Sequence, residues 1–181
     1  MRNILVVVGS GNIKGNTDTL VDCFIKGAIE SGHHVKKVNL NGDIQGCQGC
    51  GACQKNGNKC VIQDKMKSIY PFFKSSDTIV LASPLYFWSI SARLKSFIDR
   101  LYAISTDDEY PQRDTFLLMT SGSKGFYAFE QAVSFYRFFT NALGWNDKGM
   151  VLAGGCHKEE KCNVINEDYL KEAYFMGYNL K

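Results

Sequence analysis

Five short apolar runs alternate along the chain with longer amphipathic stretches. The first run is continuous and rich in β-branched residues, which is typical of a strand covered on both faces of a sheet. The other four runs have similar lengths and also predict strands. The five predicted strands are Asn3–Val8, 34–40, 78–82, 115–120 and 149–153.

The stretches between these runs predict helices. The first carries apolar residues at a period of 3.6 from Leu20 to Ile29, and Gly32 is placed to end it. Asp64 is positioned as the N-cap of a short helix after the second strand. Three further helices are predicted at 90–101, 126–143 and Glu167–Tyr178.

Strands separated by helices predict an α/β fold with a parallel sheet and right-handed crossovers. We see no linker or internal repeat, so residues 1–181 are expected to form one domain with a cysteine-rich insertion at about 45–62. In such sheets ligands bind beyond the carboxyl ends of the strands. The loops after strands one, three and four should therefore face a ligand, and they are 9–17, 83–89 and 121–125.

Charge and hydropathy narrow the possible partners. The net charge is +3 and no five basic residues are consecutive, so nucleic acid is not expected to bind. No apolar stretch approaches the ~20 residues of a membrane span, and the apolar start is too short for a signal peptide. We therefore expect a cytoplasmic protein, where thiols are normally reduced, so the seven cysteines need an explanation other than disulfides.

The first loop, GSGNIKGNT, has the character of a phosphate site. Small hydroxyl and amide side chains and the N–H groups of a helix start suit a phosphate dianion. Asn16 follows Gly15, which excludes Walker A, and Lys14 stands where a dinucleotide fingerprint needs Gly. An ordinary helix start capped by Asn16 or Thr17 is the alternative. The candidate residues are Ser10, Asn12, Lys14, Gly15, Asn16 and Thr17.

The same loop, taken with SPLYFWSISARLKSFIDR at 83–100, resembles the NADPH-dependent FMN reductase and iron–sulfur flavoprotein group of flavodoxin-like proteins. The resemblance extends from residue 1 to about 155. It implies a three-layer fold whose five parallel strands lie in the order 2-1-3-4-5, with FMN at the edge of the sheet. It also implies homodimers or homotetramers.

The resemblance assigns roles to residues of this chain. It places Ser10, Asn16 and Thr17 at the FMN phosphate. Trp88 departs from the family pattern, in which Gly is frequent at this position. Its indole either covers the flavin or narrows the substrate cleft. Exposed aromatics at a subunit contact are the alternative. The residues implied around the isoalloxazine are Pro84, Leu85, Tyr86, Phe87, Thr120, Ser121 and Gly122.

Cys47, Cys50, Cys53 and Cys60 form a C-x2-C-x2-C-x6-C block with interleaved glycines. Thiolates select iron–sulfur clusters or zinc, and three cysteines at this spacing favour a [4Fe–4S] cluster. Zinc and unligated cysteines remain open. A second site at Cys156, His157 and Cys162 is a weaker possibility.

No Ser-His-Asp set or HExxH motif is present, so we predict no catalytic residue and expect a bound flavin to supply the chemistry. The resemblance implies an FMN-dependent oxidoreductase with NAD(P)H or ferredoxin as electron donor and a small molecule or protein as acceptor. A [4Fe–4S] cluster would exchange electrons with FMN. The alternatives are an FMN-only quinone or flavin reductase, a non-enzymatic electron carrier, and a flavin-free mononucleotide-binding protein.

Overall fold

The computed structural model describes residues 1–42, 44–105, 109–159 and 162–181. Its main sheet has five parallel strands in the order β2-β1-β3-β4-β5, as the resemblance implies. The strands are β1 (Asn3–Val8), β2 (His34–Asn39), β3 (Thr78–Pro84), β4 (Asp114–Thr120) and β5 (Asn146–Ala153). The helices are α1 (Asn16–Glu30), α2 (Ala52–Lys55), α3 (Met66–Ser75), α4 (Ala92–Asp99), α5 (Glu130–Ala142) and α6 (Glu167–Tyr178).

Helices cover both faces of the sheet, which gives three layers. Alternate residues of β1 enter opposite cores, because side chains along a strand point to opposite faces. Leu5 and Val7 pack with α3, α4 and α5. Ile4, Val6 and Val8 pack with α1 and α6 on the other face. The apolar run predicted as a doubly covered strand is therefore buried on both sides.

The register of the strands aligns their carboxyl ends. Val8 pairs with Asn39 on one side and Ala82 on the other. Thr120 pairs with Pro84 and Ala153 in the same way. The loops after β1, β3 and β4 consequently leave the sheet at one edge.

Two predicted elements differ in the structure. The helix predicted at 126–143 begins as a separate 3₁₀ turn, Phe126–Ala128, and α5 starts only at Glu130. Strand five starts earlier than predicted, at Asn146, because a bulge with Gly149 at φ 133° lets its polar first half pair with β4. Periodicity could not separate a short 3₁₀ turn from the helix that follows it.

Three short elements were not predicted. The helix α2 lies inside the polar cysteine-rich stretch, and the 3₁₀ turn Arg100–Ile104 extends α4. A hairpin of β6 (His157–Glu159) and β7 (Cys162–Val164) follows β5. Within the described ranges, none of the helices has both the length and the apolar content that a membrane crossing requires.

Candidate cofactor site

The three loops expected to face a ligand come together at the carboxyl edge of the sheet. A buried hydrogen bond of 2.8 Å joins the hydroxyls of Thr17 and Thr120. The N–H of Gly9 donates to the Ala82 carbonyl at 2.7 Å, and the N–H of Leu85 donates to the Thr120 carbonyl at 2.8 Å. Direct bonds therefore link the ends of β1, β3 and β4.

The phosphate loop leaves the start of α1 open to a ligand. The N-cap is Gly15, and no described side chain caps the helix there, so the interpretation of Asn16 or Thr17 as an ordinary cap is wrong. Lys14 has φ 60°, and its N–H donates to Asp18 at 2.7 Å. The buried Ser10 hydroxyl accepts the Asn12 N–H at 3.1 Å, which fixes the loop ahead of the helix. The first N–H groups of a helix lack intrahelical acceptors and suit an anion.

Asn16 is held by the hairpin that follows β5. Its side-chain N–H donates to the His157 carbonyl in the β6–β7 hairpin at 3.1 Å. Its Oδ1 is buried and has no hydrogen-bond partner among the described residues. Hydrogen bonds to the Gly155 carbonyl and to the Glu159 carboxylate raise the pKa of His157 above its usual value. The hairpin thus reaches the phosphate loop, which the sequence did not indicate.

Arg93 is a site residue that the sequence did not single out. Its guanidinium lies against Gly11, where an added Cβ would stand 2.7 Å from the nearer nitrogen. Arg93 occupies the first turn of α4 and is exposed. It therefore places a cation on the phosphate loop, and only the docking of α4 against that loop reveals it.

Ser91 fastens the loops after β1 and β3 to each other. Its hydroxyl donates to the Gly9 carbonyl at 2.7 Å and accepts the Leu94 N–H as the N-cap of α4. Its own N–H donates to the Ser83 hydroxyl at 2.8 Å. An added Cβ at Gly9 would meet the Ser91 hydroxyl at 2.6 Å, so only glycine fits at this crossing.

The segment after β3 is a tight hairpin with unusual central residues. Tyr86 and Ser89 exchange both backbone hydrogen bonds at 3.0 Å. Phe87 and Trp88 between them have φ values of 46° and 60°. This geometry favours Gly or Asn, and a bulky side chain costs roughly 1–2 kcal/mol per residue. The Gly frequent in the family at the position of Trp88 suits this conformation, and here an aromatic residue adopts it.

The exposed rings border a cavity of about 320 Å³. Phe87 is 93% exposed, and it lines the cavity together with Trp88 and Tyr127 from the loop after β4. Tyr127 was not among the predicted site residues. Leu85 lines the floor, while Pro84 ends β3 beside it. Strained, exposed aromatic residues at the carboxyl edge indicate a function rather than a folding requirement.

The loop after β4 is braced by the loop after β5. The buried Ser121 donates its N–H to the Ala153 carbonyl and accepts the Cys156 N–H on its carbonyl. Gly122 follows Ser121, and a Cβ there would approach the Cys156 carbonyl only to 3.8 Å. Burial raises the pKa of the Cys156 thiol, which donates to Ala153. The possible second cysteine site stays untested, because the Cys162 side chain lies outside the described part.

The four cysteines of the block line one cavity of about 160 Å³. Cys53 is buried, Cys60 is half-buried, and Cys47 and Cys50 are exposed. Gly49 and Gly51 have φ values of 64° and 65°, and the left-handed conformation lets the chain wrap the cavity. Across the described ranges, no three Cys, His, Asp or Glu side chains are grouped to hold a metal ion.

A buried ion pair holds both ends of the cysteine segment. Arg100 donates two hydrogen bonds to Asp64 at 2.8 and 3.1 Å, and these side chains are 1% and 2% exposed. Arg100 also donates to the Gln45 carbonyl at 2.9 Å, and the Gln45 N–H donates to Asp64 at 3.0 Å. Asp64 is thus a partner of Arg100. Its Oδ1 also accepts the Met66 N–H at 3.0 Å, which is the capping bond that the sequence predicts, although the helix bounds place the N-cap position at Lys65.

The electrostatics of this pair favour its charged form. Burial raises the pKa of Asp64, but hydrogen bonds from Arg100, Gln45 and Met66 outweigh it and leave the pKa below its usual value. Burial also lowers the pKa of Arg100, but the hydrogen bonds with Asp64 and Tyr70 reverse that effect. Arg100 lines the cysteine cavity and keeps a buried positive charge there.

The helix α4 spans the distance between the two sites. Its N-cap, Ser91, touches the phosphate loop, while Asp99 and Arg100 at its other end line the cysteine cavity. Eight residues of α-helix rise about 12 Å. The cysteine cavity therefore lies at the opposite end of α4 from the phosphate loop.

The sheet order and the site at its carboxyl edge define a flavodoxin-like α/β protein. Residues 2–146 match the model of the NADPH-dependent FMN reductase family. The match covers most of the chain, so the chain belongs to that family.

Three known proteins illustrate its similarities. An iron–sulfur flavoprotein of Archaeoglobus fulgidus is 36% identical over 96 residues, which are 52% of this chain and 43% of that protein. An FMN-dependent NADH:quinone oxidoreductase of Alteromonas mediterranea is 24% identical over 93% of this chain and 94% of its own length. The structure of an NAD(P)H:quinone oxidoreductase from Methanothermobacter marburgensis superimposes with a TM-score of 0.74 at 16% identity, over 98% of this chain and 96% of its own. The chain matches about half the length of the iron–sulfur flavoproteins.

Proposed function

We propose that this chain is an FMN-dependent oxidoreductase that takes electrons from NAD(P)H and passes them to a small acceptor of the quinone class. The observation that carries the proposal is the buried hydrogen bond between Thr17 and Thr120. It brings the phosphate loop and the loop after β4 together at the carboxyl edge, where a doubly wound sheet binds its ligand.

The residues at the phosphate loop fit an FMN phosphate. The uncapped start of α1 offers N–H donors, and the Arg93 guanidinium beside Gly11 offers a charge-assisted hydrogen bond. The buried and unpartnered Oδ1 of Asn16 is an acceptor that a ribityl hydroxyl would satisfy. A ligand that carries both phosphate and hydroxyl groups would therefore form hydrogen bonds with these polar groups of the loop.

The residues on the other side of the edge fit a flat ring system. Leu85, Phe87 and Trp88 present apolar surface to the cavity beside the loop after β4. When bound, FMN supplies hydride acceptance and electron release in steps of one or two. Leu85, Phe87 and Trp88 would hold the ring, and the aromatic hairpin would exclude water from it.

Flavin content and turnover test this proposal. The purified protein should show flavin absorbance, contain FMN, and oxidise NADH or NADPH when a quinone is present. Arg93→Gln should weaken FMN binding by about tenfold, because a charge-assisted hydrogen bond is lost. Lys95→Gln, on the same helix, is the matched control and should bind FMN like the wild type. A protein that binds no added FMN would contradict the proposed function.

We further propose that the four cysteines hold a [4Fe–4S] cluster. Each thiolate of such a cluster binds a different iron, so the four sulfurs stand farther apart than around one ion. Here all four cysteines line one cavity of about 160 Å³, and thiolates are the ligands that iron–sulfur clusters use. When bound, the cluster supplies one-electron transfer, and the buried Arg100 cation offsets part of the negative charge of four thiolates.

Metal analysis under anaerobic conditions tests the cluster. The protein should be brown, absorb near 400 nm beyond the flavin bands, and contain iron and sulfide. Cys47→Ser should lose most of the iron, whereas Cys23→Ser in α1 should keep it. A protein that contains zinc, or flavin alone, would contradict the cluster and leave the FMN proposal standing.

A further inference from the structure

The positive charge of the chain is concentrated in the segment 44–75, which carries the four cysteines. Of the 21 basic and 18 acidic residues, the segment 44–75 holds five lysines and one aspartate. The remaining residues therefore include 16 basic and 17 acidic side chains, which nearly cancel. The overall charge of +3 thus comes from this one segment.

The single aspartate does not offset this charge at the surface. Asp64 is 2% exposed and is paired with Arg100 below the segment. Four of the five lysines are exposed, while Lys65 is half-buried and donates to the Asn39 and Asn41 carbonyls. The exposed lysines are Lys55, Lys59, Lys67 and Lys74.

Three of these lysines rim a groove next to the cysteines. This lysine groove, defined by Lys59, Lys67 and Lys74 around a floor that includes Val61, Ile62 and Pro71, has a volume of about 660 Å³. None of the described residues that line it is acidic. Cys60, Val61 and Ile62 line both the groove and the cysteine cavity, so the two lie next to each other along this segment.

The layout of the groove suits a protein surface better than a small anion. Lys67 and Lys74 are seven residues apart on α3, which separates them by about 10.5 Å along the helix. A phosphate is bound by donors that converge, whereas these lysines are spread around an apolar floor in which Val61 is 46% exposed. An apolar centre with a charged rim is the usual build of a protein interface.

We propose that the lysine groove docks an acidic electron-transfer protein against Cys60. This inference rests on the proposed cluster at the cysteines. With the cluster bound, the four cysteines would hold the group that accepts one electron from the reduced partner, and no bond or proton would be transferred. The exposed lysines attract the acidic partner before contact, because opposite charges steer encounter.

Charge reversal at the groove tests the docking surface. The probe is a small acidic bacterial ferredoxin, mixed in reduced form with the oxidised holoprotein in a stopped-flow instrument. The groove variant is Lys59→Glu/Lys67→Glu/Lys74→Glu. The control is Lys26→Glu/Lys148→Glu/Lys171→Glu, which makes the same change of charge at exposed lysines of α1, β5 and α6.

The groove variant should lower the second-order rate constant at least about tenfold at low salt, because steering is lost. The control should remain close to the wild type. The wild-type rate should fall as salt screens the charges, and the groove variant should show a weaker or reversed salt dependence. Equal rates for the two variants, whether lowered or not, would overturn the proposal.

Two parallel measurements separate this inference from the proposed function. Iron, FMN content and quinone turnover are measured for all three proteins, and the groove variant should match the wild type in each. If iron is absent, the cluster proposal is wrong, and calorimetric titration with oxidised ferredoxin still decides whether the groove docks it. If millimolar pyrophosphate shields the three lysines from acylation and ferredoxin does not, the groove binds small anions and the docking proposal is wrong.

Discussion

The two ends of α4 are built in different ways. At the phosphate-loop end, the side chains of Ser91 and Leu94 pack so closely on Gly9 that it has no room for a Cβ. At the cysteine end, Gly49 and Gly51 have nothing within 4 Å of an added Cβ, and the nearest atom to one at Gly46 is 3.9 Å away. The first site is packed against the sheet, whereas the second is an open loop around a cavity.

The two sites are therefore held by different interactions. The strands position the phosphate loop through hydrogen bonds shared by β1, β3 and β4. The cysteine segment is fastened at both ends by one buried pair, Arg100 and Asp64, which bonds Gln45 at its start and Met66 at its end. Between the ends, the Gln54 side chain donates to the Tyr102 carbonyl at 2.7 Å. Substitutions should therefore affect the two sites separately.

The largest loss of stability is expected for Asp64→Ala, which leaves the buried Arg100 cation without its carboxylate partner. Breaking such a pair costs about 3–5 kcal/mol of unfolding free energy. Urea denaturation measures this loss, and FMN affinity under native conditions should change little, because the pair lies at the cysteine end. The double variant Asp64→Leu/Arg100→Met should recover much of the stability. A loss below ~1 kcal/mol, or a parallel loss of FMN affinity, would remove the distinction between the two ends.

Alanine at two glycines compares the packing of the two ends directly. Gly9→Ala would place a Cβ 2.6 Å from the Ser91 hydroxyl and 2.7 Å from Leu94, and such overpacking costs about 1–3 kcal/mol. Gly46→Ala meets only Ser96 at 3.9 Å and should change stability by about 0.5 kcal/mol or less. Denaturation of the FMN-free proteins measures both. Similar losses would show that the two loops are packed alike.

Glycine at position 88 should relieve strain in the hairpin after β3. Trp88→Gly removes a side chain from a φ of 60°, and the FMN-free protein should gain about 0.5–1 kcal/mol. Trp88→Ala keeps a Cβ in the same conformation and should gain less, which makes it the control. Thermal unfolding checks the stability, and NAD(P)H–quinone turnover should fall in both variants. Unchanged turnover would argue that the indole serves a subunit contact instead.

The smallest effect is the pH dependence of the ion pair. The pKa of Asp64 lies below its unfolded value of about 3.9, so its contribution is complete above that pH and is lost as the pH falls through the lower folded value. Unfolding free energies measured from about two pH units above to about two units below the unfolded pKa check this. The Asp64→Leu/Arg100→Met variant should lack this component. Identical pH profiles would mean that the pair does not titrate with folding.

Much of the phosphate-loop end could be predicted from the sequence. Apolar runs separated by amphipathic helices fix a parallel sheet, and a parallel sheet brings the loops after β1, β3 and β4 to one edge. Local sequence patterns could therefore identify the residues of those loops, from Ser10 to Thr17 and from Pro84 to Trp88. Arg93 was not, because its contact with Gly11 depends on how α4 docks.

At the cysteine end, the sequence predicted the four cysteines and their shared centre but not the contacts that hold them. The spacing of Cys47, Cys50, Cys53 and Cys60 indicated a shared centre, and the structure places all four around one cavity. The sequence assigned Asp64 to a helix cap, since a carboxylate before a helix is ordinary capping chemistry. Its partner Arg100 is 36 residues away, and no local pattern connects the two.

The sequence by itself determined the order of elements, the family, the phosphate loop and the four-cysteine spacing, because each depends on residues close together in the chain. Only the tertiary structure decided the left-handed conformation of Phe87 and Trp88, the Arg100–Asp64 pair and the lysine groove. These features join segments that are distant in sequence or depend on a fold around them. Long-range contacts form only when helices and loops dock on the sheet, so their partners cannot be read from local periodicity.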